Sequence, residues 1–486
     1  MRPEQKTRDE RAKARNGGSS DDPLQAANAR RLWQSPRIEQ ILLPYTLQST
    51  QAHLRMLGDC SLVDPEIAVA LCDAVGELRQ KVEEGESILE KDDQDVLSAV
   101  VRHLNEKVGS HADAVRLFST PREQHSIDMR LWMRDTALAT AASIAQLRFT
   151  LLNLAEFHKE TMLPTYVHLK KSRSISLADF WLTYELRFAR DFKRLEDLRK
   201  KLETLPLTET IQLSTGTVIE RQKIGQYLGF YTIIENNLDA ATDRDYLMEF
   251  AAFASIMSVH ISQLSADLMT WSTQEFGFVR QTRAFSFYDQ EVSHKRSQEV
   301  LAVLRSRPAA VFGNLQETLS AMKGLSINYS QDFEECVPAA IDISDNINFL
   351  IDLLIAFLPN LEFDVDVLKD ASNPVIISGE SAIEFLVARG VDRRKAEKAV
   401  EDLIEYCKAR HKQPSDMTMN EWSQFSMSFD SGIYDAIANT EMEQSTSYGY
   451  EWLVPDIVRK TMESIESARL LVEDDMTTLT APELLI

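Results

Sequence analysis

The run DYLMEFAAFASIMSVHISQLSADLMTW (residues 245–271) sets Leu247, Phe250, Ala254, Met257, Ile261, Leu264, Leu268 and Trp271 at successive spacings of 3, 4, 3, 4, 3, 4 and 3. Alternating threes and fours keep one face of a helix apolar. A seam sustained over about four heptads cannot face water, so it predicts a long helix packed among other long helices, within one chain or between copies. Met257 and Trp271 are core residues on this reading, not parts of a cofactor site.

Working outward, a second long helix is expected from about Ser126 to Lys159, with Pro164 beyond it as a stop. A third covers about 176–203 and a fourth about 298–323. The most apolar run, INFLIDLLIAFL (347–358), contains Asp352 and is too short to span a bilayer, so it reads as a buried helix. Gly and Pro are few, 16 and 15, and strand signals are scarce. The expected fold is all-α: a central long-helix bundle over 118–360, a helical N-terminal domain over 23–117, and a C-terminal helical domain and tail over 361–486. In the last of these, SGESAIEF (378–385) reads as a helix start and ARGV (388–391) as a glycine-terminated stop. Residues 1–22 are polar, charged and Gly/Ser-rich, and read as a disordered tail. No internal repeat is visible.

The 486-residue chain is 44% hydrophobic, enough for a large core. Lys and Arg number 53 against 75 Asp and Glu, a net charge of −22. Such a surface repels phosphate, which argues against general binding to nucleic acid or anionic lipid. Cys60, Cys72, Cys336 and Cys407 are too far apart for a CxxC motif and read as reduced thiols of a cytoplasmic protein. No secretory signal is visible. There is no GxGxxG after a strand, no P-loop and no HExxH, and the nine histidines never pair at i, i+4. No metal site is expected.

Several blocks carry a resemblance. LPYTLQSTQAHLRML (43–57) is similar to Y-D-I-x-G-S-x-A-H-x-x-M-L, DMRLWMRDTAL (128–138) to the helix after a first signature, and ENNLDAATDRDYLMEF (235–250) to NSxDAxSDRDFxxEF. TSYGY (446–450) is similar to a C-terminal tail motif. All four resemble argininosuccinate lyase, of the fumarase/aspartase superfamily, in the right order from about Leu32 to Glu473. The resemblance implies a homotetramer on a central helix bundle, with each active site assembled from three subunits. It implies β-elimination that splits a C–N bond and releases fumarate, with no cofactor. That reaction needs a base beside a carboxylate, donors for a dianionic intermediate, and an acid for the leaving nitrogen.

The implied site positions are heavily changed. The family's mobile loop, G-S-S-x-M-P-x-K-x-N-P, falls on Tyr288 to Gln298. Its serines, one of them the base, are Asp289 and Gln290; among its named positions only the lysine survives, as Lys295. Small residues there let backbone N–H groups approach substrate oxygens, and Tyr288 and Gln290 fill that space. Asp289 would sit beside a substrate carboxylate, where like charges at about 4 Å repel by roughly 1 kcal/mol in water and about 4 at an effective dielectric near 20. The first signature, S-R-N-D-Q, is Thr120 to Gln124, with Gln124 identical and Arg122 able to reach an anion from its shifted place. The second, G-Y-T-H-L-Q, is Thr165 to Lys170; His168 matches the acid–base histidine, Val167 replaces a hydroxyl, and the histidine's Glu partner is Ala302. Leu97 stands at another histidine position, and a glycine-rich loop falls on Thr208 to Ser214, without glycine. Thr50 replaces a substrate-binding serine.

The catalytic candidates are therefore His168, Asp289 and Lys295, and the substrate-binding candidates Thr50, Thr120, Arg122, Gln124, Asn237 and Tyr329. Two readings follow. Polar, ionisable replacements suit a C–N lyase repurposed for a substrate other than argininosuccinate, an amino acid or succinyl-type conjugate. Val167, Leu97 and Ala302 remove function without adding any, which suits a catalytically silent homotetramer or a partner subunit of an active lyase.

Overall fold

Pro65, Pro121 and Pro308 each open a helix. At that position proline's missing N–H costs nothing and its φ is already helical. The computed structural model describes residues 36–437, apart from 91–92, 94–95, 169, 208–210, 213–216, 282–284, 286, 289–295, 298, 326–334, 373–374 and 411, together with Glu463.

Three helices, α1 (Pro36–Asp59), α2 (Pro65–Glu83) and α3 (Val96–Val108), form the first end of the molecule. Leu43, Leu47, Leu54, Leu57, Leu71, Leu78, Val100 and Leu104 fill its core. That core also takes Ile127, Leu131, Leu205 and Phe230 from further along the chain. The 37-residue α4 (Pro121–Phe157) follows, and it starts before Ser126 because Thr120 closes a capping box with Glu123. A hairpin of β1 (Met162–Val167) and β2 (Lys170–Ser176) follows, antiparallel with a bulge between Pro164 and Tyr166. Pro164 thus sits in a strand and not at a helix stop. The next helix, α5 (Leu177–Leu202), is capped by the Ser176 hydroxyl and ends in Arg199, Lys200 and Lys201, which complement its dipole.

Short pieces then turn the chain: β3 (Thr204–Leu205), β4 (Ile211–Gln212), β5 (Thr217–Val218), α6 (Arg221–Tyr227), β6 (Thr232–Ile233) and α7 (Asn237–Thr242). They lead into α8 (Asp245–Trp271). Seven of its eight seam residues are buried, and Trp271 is half-buried against Phe180. A polar ladder fixes α8 antiparallel to α5: Tyr184 donates to Asp267 at 2.8 Å, Arg187 to Gln263 at 2.7 Å, and His260 Nδ1 lies 2.6 Å from Asp191. Buried Arg148 of α4 pairs with buried Glu185 of α5 at 2.9 Å.

Three short strands, β7 (Val279–Gln281), β8 (Phe287–Tyr288) and β9 (Arg296–Ser297), lead back into helix. The expected single helix over 298–323 is two, α9 (Glu299–Ser306) and α10 (Pro308–Met322), because Pro308 has no N–H to continue the ladder. The apolar run 347–358 lies at the end of α11 (Cys336–Phe357), whose Ile347, Leu350, Ile351 and Leu354 are fully buried. After it come β10 (Leu361–Phe363), which pairs with β7, and α12 (Val365–Ala371), α13 (Val375–Ala388), α14 (Arg393–Ala409) and the single turn α15 (Met419–Trp422). Helix α13 starts three residues before the SGESAIEF signal and stops as expected, at Gly390 with φ +83°. Ala382, Leu386, Val400, Leu403 and Trp422 form a separate small core there. The all-α class holds, with only short two-stranded pairs beside the helices. Helices α4 and α8 are long and apolar enough to cross a membrane by length and composition, and more than half of each such stretch is buried in this fold. All four cysteines are free thiols.

Candidate active site

The seam between α1 and the start of α4 is built from helical spacing. Thr46, Ser49 and His53 share one face of α1; Gln124 and Asp128, four apart, share one face of α4. These faces meet. The Asp128 carboxylate accepts from Thr46 Oγ1 at 2.6 Å and from Ser49 Oγ at 2.5 Å. Gln124 Nε2 donates to Ser49 Oγ and lies 3.4 Å from Thr46 O and from Asp128 Oδ1. Burial pushes Asp128 up to about 6, against the opposing pull of these donors and of His125. His53 Nε2 donates to Leu117 O at 2.7 Å, and burial lowers its pKa, so a neutral ring ties α1 to the chain before α4.

Thr120 is the N-cap of α4; its hydroxyl donates to Glu123 Oε2 at 2.8 Å and accepts from the Glu123 N–H. Thr50, beside Ser49, is 1% exposed, and its Oγ1 has no hydrogen-bond partner among the described residues. A buried hydroxyl left unpaired costs about 1–3 kcal/mol, which a ligand oxygen would offset. Thr46 and Ser49 stand where the family pattern carries Asp and Gly, so this hydroxyl-rich seam is a departure from that pattern. Sequence reading missed Thr46, Ser49 and Asp128. The signal was there as polar residues at i, i+3 and i+7 on an otherwise apolar helix.

His168 lies elsewhere. It occupies the exposed turn of the β1–β2 hairpin with φ +51°, a left-handed conformation in which Asn, Asp and His are the side chains most often found after glycine. The hairpin is anchored below that turn: Leu177 N donates to Thr161 O at 2.7 Å and Ser176 Oγ to Lys159 O at 2.9 Å. Val167 beside it is 56% exposed, an apolar side chain where the family pattern has a hydroxyl. The strands β8 and β9 pair as the base of the 287–297 loop. Phe285, just before them, packs edge-on against Phe357, and Phe363 packs on His158 at the end of α4. Phe285, β10 and the hairpin therefore share the end of the bundle where α4 finishes.

Asp289, Lys295 and Tyr329 lie outside the described residues, as do the side chains of Arg122 and Asn237. Asn237 opens α7, which is capped by Asn236 Oδ1 accepting from Leu238 N at 2.9 Å. Ala302 is on α9 and Leu97 on α3. Among the described residues, no group of three or more His, Cys, Asp or Glu is placed to hold a metal ion.

The two halves are far apart. Thr120 and His168 flank opposite ends of the 37-residue α4, which at ~1.5 Å per residue is about 55 Å long. One chain places Thr50, Thr120 and Gln124 at the start of α4, and His168 in the hairpin that follows its end.

Comparison with known proteins agrees with this architecture. Residues 18–286 match a family model described as Lyase. The argininosuccinate lyase of Synechococcus sp. (strain JA-3-3Ab) is 33% identical over 397 residues, 82% of this chain and 81% of that protein. That of Pelotomaculum thermopropionicum (strain DSM 13744 / JCM 10971 / SI) is 30% identical over 396 residues, 82% of this chain and 86% of the relative. Among solved structures, EDDS lyase in complex with formate superposes with a TM-score of 0.73 at 16% identity, covering 92% of this chain and 93% of that one. The 3-carboxy-cis,cis-muconate lactonizing enzyme of Pseudomonas putida gives 0.67 at 17% identity, covering 90% and 99%. At such identities the structures speak for the fold alone, while the sequence relatives speak for the family. The chain belongs to the argininosuccinate lyase family of the fumarase/aspartase superfamily, as a divergent member whose active-site signatures are largely replaced.

Proposed function

We propose that this protein is a C–N lyase of the β-elimination type that acts on a substrate other than argininosuccinate, an amino acid or succinyl-type conjugate. The observation that carries this reading is His168. An exposed residue held at φ +51° is a position glycine would fill without strain. A histidine there, at the family's acid–base position, keeps an exposed imidazole where the reaction needs an acid. On this reading Asp289 takes the proton beside a substrate carboxylate, Lys295 offsets the charge that develops, and His168 protonates the leaving nitrogen. Thr50, Thr120, Arg122, Gln124, Asn237 and Tyr329 form the substrate-binding set, with the unpaired Thr50 hydroxyl as its buried contact.

A homotetramer goes with this reading, because about 55 Å of helix separates the two halves in one chain and other copies must close the gap. We place the protein in the cytoplasm, in keeping with its free cysteines. The purified protein, offered argininosuccinate and a panel of N-succinyl conjugates, is expected to release fumarate from a conjugate other than argininosuccinate. That release should disappear in His168→Ala. No release from any conjugate favours the second reading, a catalytically silent assembly. Exposed Val167 and half-buried Ala302, in place of a hydroxyl and a carboxylate that would support the histidine, are the observations on that side.

A further inference from the structure

We propose that Asp128 is a positioning residue of this site: its buried carboxylate gathers Thr46, Ser49 and Gln124 into a lock that sets α1 against the start of α4. The lock thereby fixes where Thr50 meets a substrate carboxylate. The inference rests on the lyase reading above for its ligand, but its geometry stands apart from that reading. Asp128 is 3% exposed, and Thr46 and Ser49 are 5% and 3% exposed. Two hydroxyls donate to the carboxylate at 2.6 and 2.5 Å, and the Gln124 amide bridges Ser49 to it. Each donor that α1 contributes lies within four residues of Thr50 on the same helix. The Gln124 amide nitrogen is part of this lock, so the one identical residue of the first signature helps hold the helix that carries Thr50.

An ionised Asp128 can accept all three donors. A protonated one surrenders an acceptor position, and the lock loosens. The other titratable groups along this seam are His125 and Glu123 on α4 and His53 on α1. His125 acts on the Asp128 carboxyl by its charge, so it needs its own control.

The test uses the full-length protein with fumarate as probe. Calorimetry from pH 5 to 7.5 reads affinity, and amide exchange of residues 46–53 reads the lock without any ligand. Wild type is expected to bind fumarate five- to tenfold more weakly at pH 5 than at 7.5. Asp128→Asn, the isostere of the protonated carboxyl, should be flat over that range at about the affinity wild type shows at pH 5. Asp128→Ala should lose at least tenfold in affinity and exchange residues 46–53 at least tenfold faster, with helical content and oligomeric state unchanged. Ser49→Ala, a milder change, should move both readouts the same way if Asp128→Ala fails to fold. A pH response that survives Asp128→Asn but vanishes in His125→Gln overturns the proposal. So does exchange of 46–53 that neither Asp128→Ala nor Ser49→Ala alters. Absence of fumarate binding by wild type at every pH overturns the lyase reading instead, and the exchange rates still decide the lock.

Discussion

A carboxyl group buried at Asp128 has a consequence for stability with a definite sign. Its folded pKa is raised from 3.8 to about 6. A raised pKa means that the folded state holds the proton more tightly than the unfolded chain. The associated stability is complete below pH 3.8 and is lost as the pH rises through 6, about 3 kcal/mol in all. Asp128→Asn cannot titrate. Urea midpoints measured at pH 4.5, 5.5, 6.5 and 7.5 should therefore fall less steeply with pH in the variant than in wild type, and parallel curves would rule this account out. Stability favours the protonated group and the lock favours the ionised one, a tension expected where a site is tuned for use. Thr120 carries a second expectation at this scale. Its hydroxyl both donates to and accepts from Glu123, so Thr120→Ala should cost about 1 kcal/mol, read as a lowered melting temperature. The T-x-x-E pattern of that capping box was legible in the sequence. The Asp128 lock was not, because its partners lie 82 and 79 positions away, and only the meeting of two helices brings them together.

Among the elements, α8 was the most legible. Its eight apolar positions alternate by three and four, and seven of them are buried as that spacing requires. Leu264→Ala removes a fully buried side chain from the middle of that seam and should cost about 2–5 kcal/mol by thermal or chemical denaturation. Val259→Ala, on the open side of the same helix, should cost well under that in an isolated chain. The short strands were illegible for a physical reason. Most of them are two or three residues long, too short for a period of two to register. The break between α9 and α10 was legible in principle, since Pro308 cannot donate to Leu304 O; apolar periodicity running across it masked the signal. The left-handed turn at His168 leaves no trace in the sequence, because a histidine, unlike a glycine, does not announce positive φ.

For the whole molecule, the question is what closes the distance between the two halves of the site. The side of α8 turned away from its seam still exposes Ile256 and Val259, and the neighbouring helices expose Leu186, Phe312, Leu319 and Phe349. Large apolar side chains spread over the outer faces of several bundle helices fit burial against further copies of the chain. A net charge of −22 opposes such association, so in the proposed homotetramer the apolar area has to outweigh that repulsion, which salt screens. Two carboxylates placed at the centre of this face should therefore break the assembly without touching the interior of one chain. The double variant Ile256→Asp, Val259→Asp is expected to keep its helical circular-dichroism signal. On the proposed homotetramer, its mass by light scattering should fall from that of four 55.2 kDa chains toward that of one. Fumarate release should fall with the mass although His168 and Thr50 are intact, because those residues then stay at opposite ends of α4 with no second copy to join them. A variant that stays tetrameric would show that copies meet on another face. A monomer that retains full turnover would show that one chain completes the site alone, and the separation along α4 would then need a different explanation.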